Sequence, residues 1–252
     1  MKKLLAQALD LVFPQVCCLN CDEPRQMDPG APLCDRCQQE LEQLRVPDSA
    51  CGHCLSPMQS GRPCSYCAAG GMAHIDQAFA PFVYRDVSAA LIKRLKYGVV
   101  ALAANPLARE MALAISGIRF DALVPVPLYH RHERERGMNQ SLLLCQGIGE
   151  ETGFPVLAAL NKIRDTRRQS SLPAGRRAEN VRGAFALRAQ VAGLDLLLVD
   201  DVRTTGSTAR ECARVLKAGG ASSVCLLTAA VAKPKEQPER VLLWNSLQEP
   251  SA

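Results

Sequence analysis

From residue 76 onward, short apolar runs alternate with longer amphipathic stretches. Ala78–Tyr84 alternates weakly and predicts a short strand, and Val87–Tyr97 has the period of a helix. Asn105-Pro106 is a helix start, with an N-cap and a proline at the first helical position, and that helix is expected to run to about Ile115. Phe120–Val126 predicts the next strand, Ser141–Glu151 a helix and Gly183–Leu187 a strand. Leu196–Val199 is apolar without alternation or charge, as suits a strand covered on both faces in a parallel sheet. Thr208–Leu216 returns to helical spacing and is closed by Gly219-Gly220. Ser222–Ala230 is the last core strand. This alternation predicts an α/β fold, a doubly wound parallel sheet.

The first 75 residues read differently. Lys2–Phe13 predicts an amphipathic helix ended before Pro14. The stretch beyond it is broken by turns at Asp28–Pro32 and Gly61-Arg62-Pro63 and holds few aliphatic residues. Three segments follow: a small Cys-rich module with its N-terminal helix at 1–75, an α/β domain at 76–232, and a Pro- and charge-rich tail at 233–252. Trp244 and Leu242-Leu243 give the tail one candidate docking spot.

Cysteine changes the picture of the first segment. Nine of the 12 cysteines precede residue 70. Four pairs are spaced Cys-x-x-Cys: Cys18/Cys21, Cys34/Cys37, Cys51/Cys54 and Cys64/Cys67. Two such turns complete a tetrahedral Zn²⁺ site, and all-cysteine sites are structural and closed. Sequence order gives two zinc ions, the first two pairs holding one and the last two the other; an interleaved pairing satisfies the spacing equally. Cys17 adjoins Cys18 as an alternative ligand, though Cys18 keeps the spacing. His53 reads as a bystander. With so few aliphatics, metal binding must supply much of the folding energy.

The richest chemistry follows the apolar run. Asp200 and Asp201 stand at its end, then Val202, Arg203, Thr204, Thr205, Gly206, Ser207 and Thr208 lead into the helix. Ligands of open α/β sheets sit outside the carboxyl ends of the strands. A glycine turn opening a helix offers backbone N–H groups and a positive dipole end to a phosphate. Two carboxylates beside it would be repelled by phosphate and suit sugar hydroxyls or Mg²⁺. Phosphate, diol and metal together describe a ribose 5-phosphate carrying a pyrophosphate. No Gly-Lys-Ser/Thr is present, so this is not a Walker A loop.

Two further stretches are rich in cations. After Pro125-Val126-Pro127, the residues Arg131, Arg134 and Arg136 crowd a loop expected to open the helix at Ser141, a second anion site. His130 and His132 read as loop histidines without a metal. Residues 162–182 are polar, basic and longer than a compact connection needs, which suits a loop closing over a bound anion. Cys145, Cys212 and Cys225 fall in helix or strand patterns and read as packing residues.

The stretch Leu194–Thr208 resembles the phosphoribosyl pyrophosphate (PRPP) signature of type I phosphoribosyltransferases. The resemblance implies that Thr204–Thr208 wrap the 5-phosphate while Asp200 and Asp201 hold the ribose 2- and 3-hydroxyls. Together with the cysteine pairs and the Pro125–Ser141 motif, nearly the whole chain resembles the ComF family of competence and DNA-utilisation proteins, GntX-labelled members included. Met138 stands where members usually have Phe. The family implies a type I phosphoribosyltransferase fold behind a double zinc ribbon, with Arg131, Arg134 and Arg136 near pyrophosphate. It implies loop roles for Arg164, Thr166, Gln169, Arg176 and Asn180, which match its pattern.

Charge and composition narrow the function classes. The net charge is +5 and 48% of residues are hydrophobic, enough for a core. Residues 1–75 carry six basic and eight acidic residues, the remainder 24 and 17, so the basic part suits phosphorylated ligands or nucleic acid. No apolar run reaches the ~20 residues of a membrane span, and the expected location is cytoplasmic. Three functions compete: a Mg²⁺-dependent phosphoribosyltransferase using Asp200, Asp201, Arg131 and Arg136; a factor handling single-stranded DNA; and a zinc-module adaptor to the DNA-uptake machinery. Aromatic residues for base stacking are scarce.

Overall fold

A computed structural model describes residues 17–23, 32–58, 62–97, 100–166 and 179–232. The expected helix at 2–13, the tail at 233–252 with Trp244, and the loop residues Gln169 and Arg176 lie outside the described residues.

The cysteine segment contributes two helices, α1 (Asp35–Glu42) and α2 (Ser65–Ala68). The remainder runs β1 (Ala78–Phe79), β2 (Phe82–Val83), α3 (Asp86–Tyr97), α4 (Val100–Leu113), β3 (Ala122–Pro125), α5 (His130–Arg136), α6 (Gln140–Thr152), β4 (Leu160–Lys162), β5 (Phe185–Leu187), β6 (Asp195–Arg203), α7 (Ser207–Ala218) and β7 (Ser223–Val231). The main sheet is parallel. β6 is central, with β3 on one edge and β7 on the other, and β1 and β2 both pair with the far edge of β7. β4 and β5 form a separate antiparallel pair.

The strand residues sort by parity into two cores. Leu123, Leu197, Val199, Leu227 and Ala229 pack with α3, α4 and α6 on one face. Ala122, Val124, Leu196, Leu198, Val224 and Leu226 pack with α7 on the other. This alternation is the period of two that a strand imposes, here with apolar residues at every position because both faces are covered. The sheet is therefore doubly wound, as the apolar runs predict. The cysteine segment joins both cores: Cys18, Cys37, Leu41 and Leu44 belong to the first, Cys51, Cys54, Met72 and Ile75 to the second.

Three elements differ from expectation. The strand expected over Ala78–Tyr84 is split at Ala80-Pro81, because proline has no N–H for the ladder; the Pro81 carbonyl instead accepts from the Val46 N–H. α4 starts at Val100 and carries Pro106 inside it. Its buried stripe, Ala104, Leu107, Ala108 and Met111, begins before the proline, so packing outweighs the local break. Residues 130–136 are helical rather than a loop. An Arg131–Glu135 ion pair (3.1 Å) and a His132–Glu135 hydrogen bond (3.3 Å) brace that turn and Gly137, at φ +77°, ends it.

Because Leu198 is fully excluded from solvent at the centre of β6, Leu198→Ala is expected to lower unfolding free energy by about 2–5 kcal/mol in chemical denaturation.

Candidate functional site

The site forms where β6 passes between the carboxyl ends of its neighbours. β6 runs four residues beyond its expected end, through Asp200, Asp201 and Val202 to Arg203, paired with Thr228–Val231 of β7. Gly206 then turns at φ +69° and Ser207 opens α7. A pocket at this turn is lined by Asp200, Val202, Arg203, Thr204, Gly206, Ser207 and Thr208, and by Thr228 of β7. The Thr205 and Ser207 hydroxyls are 2.9 Å apart.

The two carboxylates have different surroundings. Asp200 Oδ1 accepts from Ser141 Oγ at 3.1 Å and from the Asp201 N–H at 2.9 Å. Asp201 Oδ2 is paired with Lys96 Nζ at 2.5 Å. Burial and the Asp201 charge push the Asp200 carboxyl up to about 7, although Lys96 and the hydrogen bonds oppose the rise. Burial works against the Lys96 ammonium, but the Asp201 and Asp200 charges raise it overall. One half-buried cation faces two acids, so the pair can accept a further proton, a metal ion or hydroxyl donors.

Ser141 is held in place by its neighbour. Asn139 caps α6, accepting from the Ser141 N–H at 3.0 Å, while its Nδ2 donates to the Val126 carbonyl at 3.1 Å. The end of β3, the start of α6 and Asp200 thus form one unit. Arg136 is half-buried and donates to Gln140 Oε1 at 3.2 Å. Arg131 and Arg134 lie exposed on α5, and Arg131 Nε pairs with Glu135. Lys162, at the end of β4, feels the charges of Asp165, Asp200 and Arg136; burial is the largest influence and lowers its pKa.

Of the expected loop residues, Arg164, Thr166 and Asn180 fall among the described residues. Arg164 Nη2 donates to the carbonyls of Asn180 (3.0 Å) and Arg182 (2.7 Å), and Thr166 is buried. His132 Nε2 lies 3.0 Å from Asp165 Oδ1, tying α5 to this segment. Arg203 lines the pocket at the Gly206 turn yet is largely buried, and its Nη2 donates to the Cys54 carbonyl at 2.5 Å.

The cysteines form two clusters, Cys18/Cys21/Cys34/Cys37 and Cys51/Cys54/Cys64/Cys67, each with four Sγ atoms within 4.8 Å of one another. Pairing follows sequence order, and Cys18 is the buried member while Cys17 is exposed. Both clusters share one design. The first pair sits on a knuckle whose next residue, Asp22 or Leu55, is left-handed (φ +57° and +59°). The second pair starts a helix, with Cys34 and Cys64 as N-caps of α1 and α2. Sulfur separations of 3.8 Å (Cys21–Cys34), 3.9 Å (Cys51–Cys67) and 3.5 Å (Cys54–Cys64) match the ~3.8 Å edge of a tetrahedron with 2.3 Å Zn–S bonds. They are far too long for disulfides. Backbone N–H groups point at Cys18 Sγ, and Asn20 Nδ2 donates to Cys37 Sγ at 3.3 Å. Burial and the adjacent sulfurs push the Cys37 thiol up to about 12, so four thiolates here require a cation. The donor set fits two structural zinc ions. His53 Nδ1 lies 3.6 Å from Cys67 Sγ, a neighbour of the cluster and not one of its four sulfur donors.

Comparison with known proteins places the chain. Competence protein F of Haemophilus influenzae is 30% identical over 204 residues, covering 76% of this chain and 87% of that protein. The chain belongs to the ComF family. DNA utilization protein YhgH of Salmonella typhimurium is 37% identical over 142 residues, 53% of this chain and 63% of that protein, so the match spans under two thirds of the relative. Among solved structures, a glutamine PRPP amidotransferase from B. subtilis, complexed with ADP and GMP, gives a TM-score of 0.37 at 27% identity over 50% of this chain and 26% of that one. No family model matches. Among the described residues, no helix is long and apolar enough to cross a membrane.

Lys96, Lys162 and Ser141 are the functional candidates that motif reading leaves without a role. Lys96 was visible only as one cation among several on a helical stripe, and among the described residues its partner lies beyond three strands and three helices in sequence.

The raised Asp200 pKa sets a pH dependence. A carboxyl that ionises later in the folded state than in the unfolded chain stabilises the fold at low pH, and that contribution fades as pH rises from the ordinary value of 3.8 through about 7. Asp200→Asn is therefore expected to gain melting temperature relative to wild type across this window, by on the order of a few °C at pH 8, with no gain near pH 3.5. Thermal melts at closely spaced pH values check it.

Proposed function

We propose that this ComF-family chain binds PRPP with Mg²⁺ and transfers its phosphoribosyl group in a process that makes use of external DNA. The observation that carries this reading is the sequence of groups at the end of β6: Asp200 and Asp201, then the pocket of Thr204–Thr208 against the first turn of α7. The amides and hydroxyls of that turn suit the 5-phosphate. The acids suit the ribose diol, and their surplus of negative charge beside Lys96 suits a sugar brought in with a divalent cation.

Asp200 and Asp201 are the residues that would hold Mg²⁺, which would supply neutralising charge for the pyrophosphate. Two of the chain's own cations are set on this side: Lys162 feels the charges of Asp200 and Arg136, and Arg136 is bonded to Gln140 at the start of α6. They suit the leaving pyrophosphate: an acceptor nucleophile bonds to the anomeric carbon, and the C–O bond breaks with its electron pair passing to pyrophosphate. Catalysis of this kind consists of positioning and charge stabilisation. Arg131 and Arg134, exposed on α5, offer phosphate contacts at the rim, to ligand or to single-stranded DNA. The relatives' names, competence protein and DNA utilization protein, supply the cellular setting.

Calorimetric titration of the zinc-loaded chain with PRPP and Mg²⁺ tests the reading. Saturable binding, with a Kd on the order of micromolar, is expected for wild type. Asp200→Asn/Asp201→Asn should weaken it at least about tenfold, the scale of two lost charge-assisted hydrogen bonds. Absence of wild-type binding, or an unaffected double variant, overturns the proposal.

A further inference from the structure

The second cysteine cluster touches the anion loop directly. Tyr66 lies between Cys64 and Cys67, and its Oη donates to the Thr205 carbonyl at 3.0 Å. Arg210, on the first turns of α7, donates from Nη1 to the same carbonyl and to the Gly71 carbonyl, both at 3.2 Å. The Arg203 guanidinium stacks over the Tyr66 ring, 4.9 Å from its centroid, while bonded to the Cys54 carbonyl. Two glycines close around the tyrosine. A Cβ on Gly71 would collide with its ring, and a Cβ on Gly206 with its hydroxyl.

The contact has a consequence for the loop's chemistry. In a trans peptide the C=O and the next N–H point in opposite directions. A Thr205 carbonyl held toward Tyr66 and Arg210 therefore turns the Gly206 N–H away from the cysteine cluster, and Gly206 lines the pocket. Were that peptide to flip, a carbonyl oxygen would face the site and repel a phosphate. Glycine at φ +69° resists such a flip poorly, having the widest backbone freedom of any residue. The restraint must come from outside the loop.

We propose that Tyr66 is a positioning residue for the anion loop, so that the affinity of Thr204–Thr208 for a sugar 5-phosphate depends on the second cysteine cluster. The inference rests on the reading of that loop as the phosphate site. It gives the cluster a role beyond folding: the helix that completes the metal site also carries the donor that orients a binding amide. The first cluster makes no such contact among the described residues and packs into the opposite core.

Tyr66→Phe removes the hydroxyl and keeps the ring between Gly71 and Gly206. The test compares wild type and Tyr66→Phe as full-length, zinc-loaded protein, with metal content measured on both. The variant is expected to keep two zinc ions, to bind PRPP with Mg²⁺ about fivefold more weakly, the worth of one hydrogen bond, and to bind pyrophosphate with Mg²⁺ as wild type does. In the ligand-free protein, amide exchange at 206–208 should accelerate. Equal PRPP affinity and exchange in the two proteins overturn this proposal alone. Equal weakening toward PRPP and pyrophosphate also overturns it, since a general loosening would act that way. Failure of wild type to bind PRPP overturns the phosphate-site reading and this proposal together.

Discussion

Leu196, Leu197, Leu198 and Val199 of β6 have no solvent exposure, and the strand is hydrogen-bonded along both edges. Burial on two faces and pairing on two edges leave this strand no freedom to shift, because a slip of one residue would exchange the faces of every side chain. Its direction fixes where the next residues go. Asp200 and Asp201 emerge at the carboxyl end of the sheet, and the turn into α7 follows within five residues. The cost of keeping two acids there is met locally, by Lys96 for Asp201 and by Ser141 and a backbone N–H for Asp200. The residual mismatch appears as the high pKa of Asp200.

The cysteine clusters solve a different problem. Their segment has too few aliphatics to fold around a core of its own, yet each cluster delivers cysteine and leucine or methionine side chains into one of the two cores of the sheet. Arg45 and Phe82, bridged across the start of the sheet, and the ion pair of Arg94 with Asp22 fasten the first cluster to it. Tyr66, Arg203 and Arg210 fasten the second to the anion loop. A metal site placed between two structural elements transmits its rigidity to both.

Much of this was legible in the sequence for definite reasons. The unbroken apolar run 196–199 marks a doubly covered strand, and four Cys-x-x-Cys spacings mark two metal clusters. What was not legible depends on contacts between distant residues. Spacing favoured Cys18 over Cys17, and the sulfur cluster includes it; the sequence-order pairing over the interleaved one is decided only by which sulfurs come together in the fold. The helix at 130–136 looked like a charged loop because its support is side-chain ion pairing rather than an apolar stripe. Lys96 reaches Asp201, and Lys162 comes within the field of Asp200, only through tertiary folding. Arg203, which motif reading puts beside a ligand, also binds the Cys54 carbonyl and stacks on Tyr66, contacts that no local pattern reveals.

Whether the end of β6 and the turn into α7 form a sugar-phosphate site is decided by a crystal structure of the zinc-loaded chain with ribose 5-phosphate and Mg²⁺. The account predicts the phosphate against the amides and hydroxyls of Thr204–Thr208, the ring hydroxyls on Asp200 and Asp201, and the Tyr66–Thr205 contact retained. A phosphate seated on Arg131 and Arg134, with the turn at Gly206 empty, would contradict it.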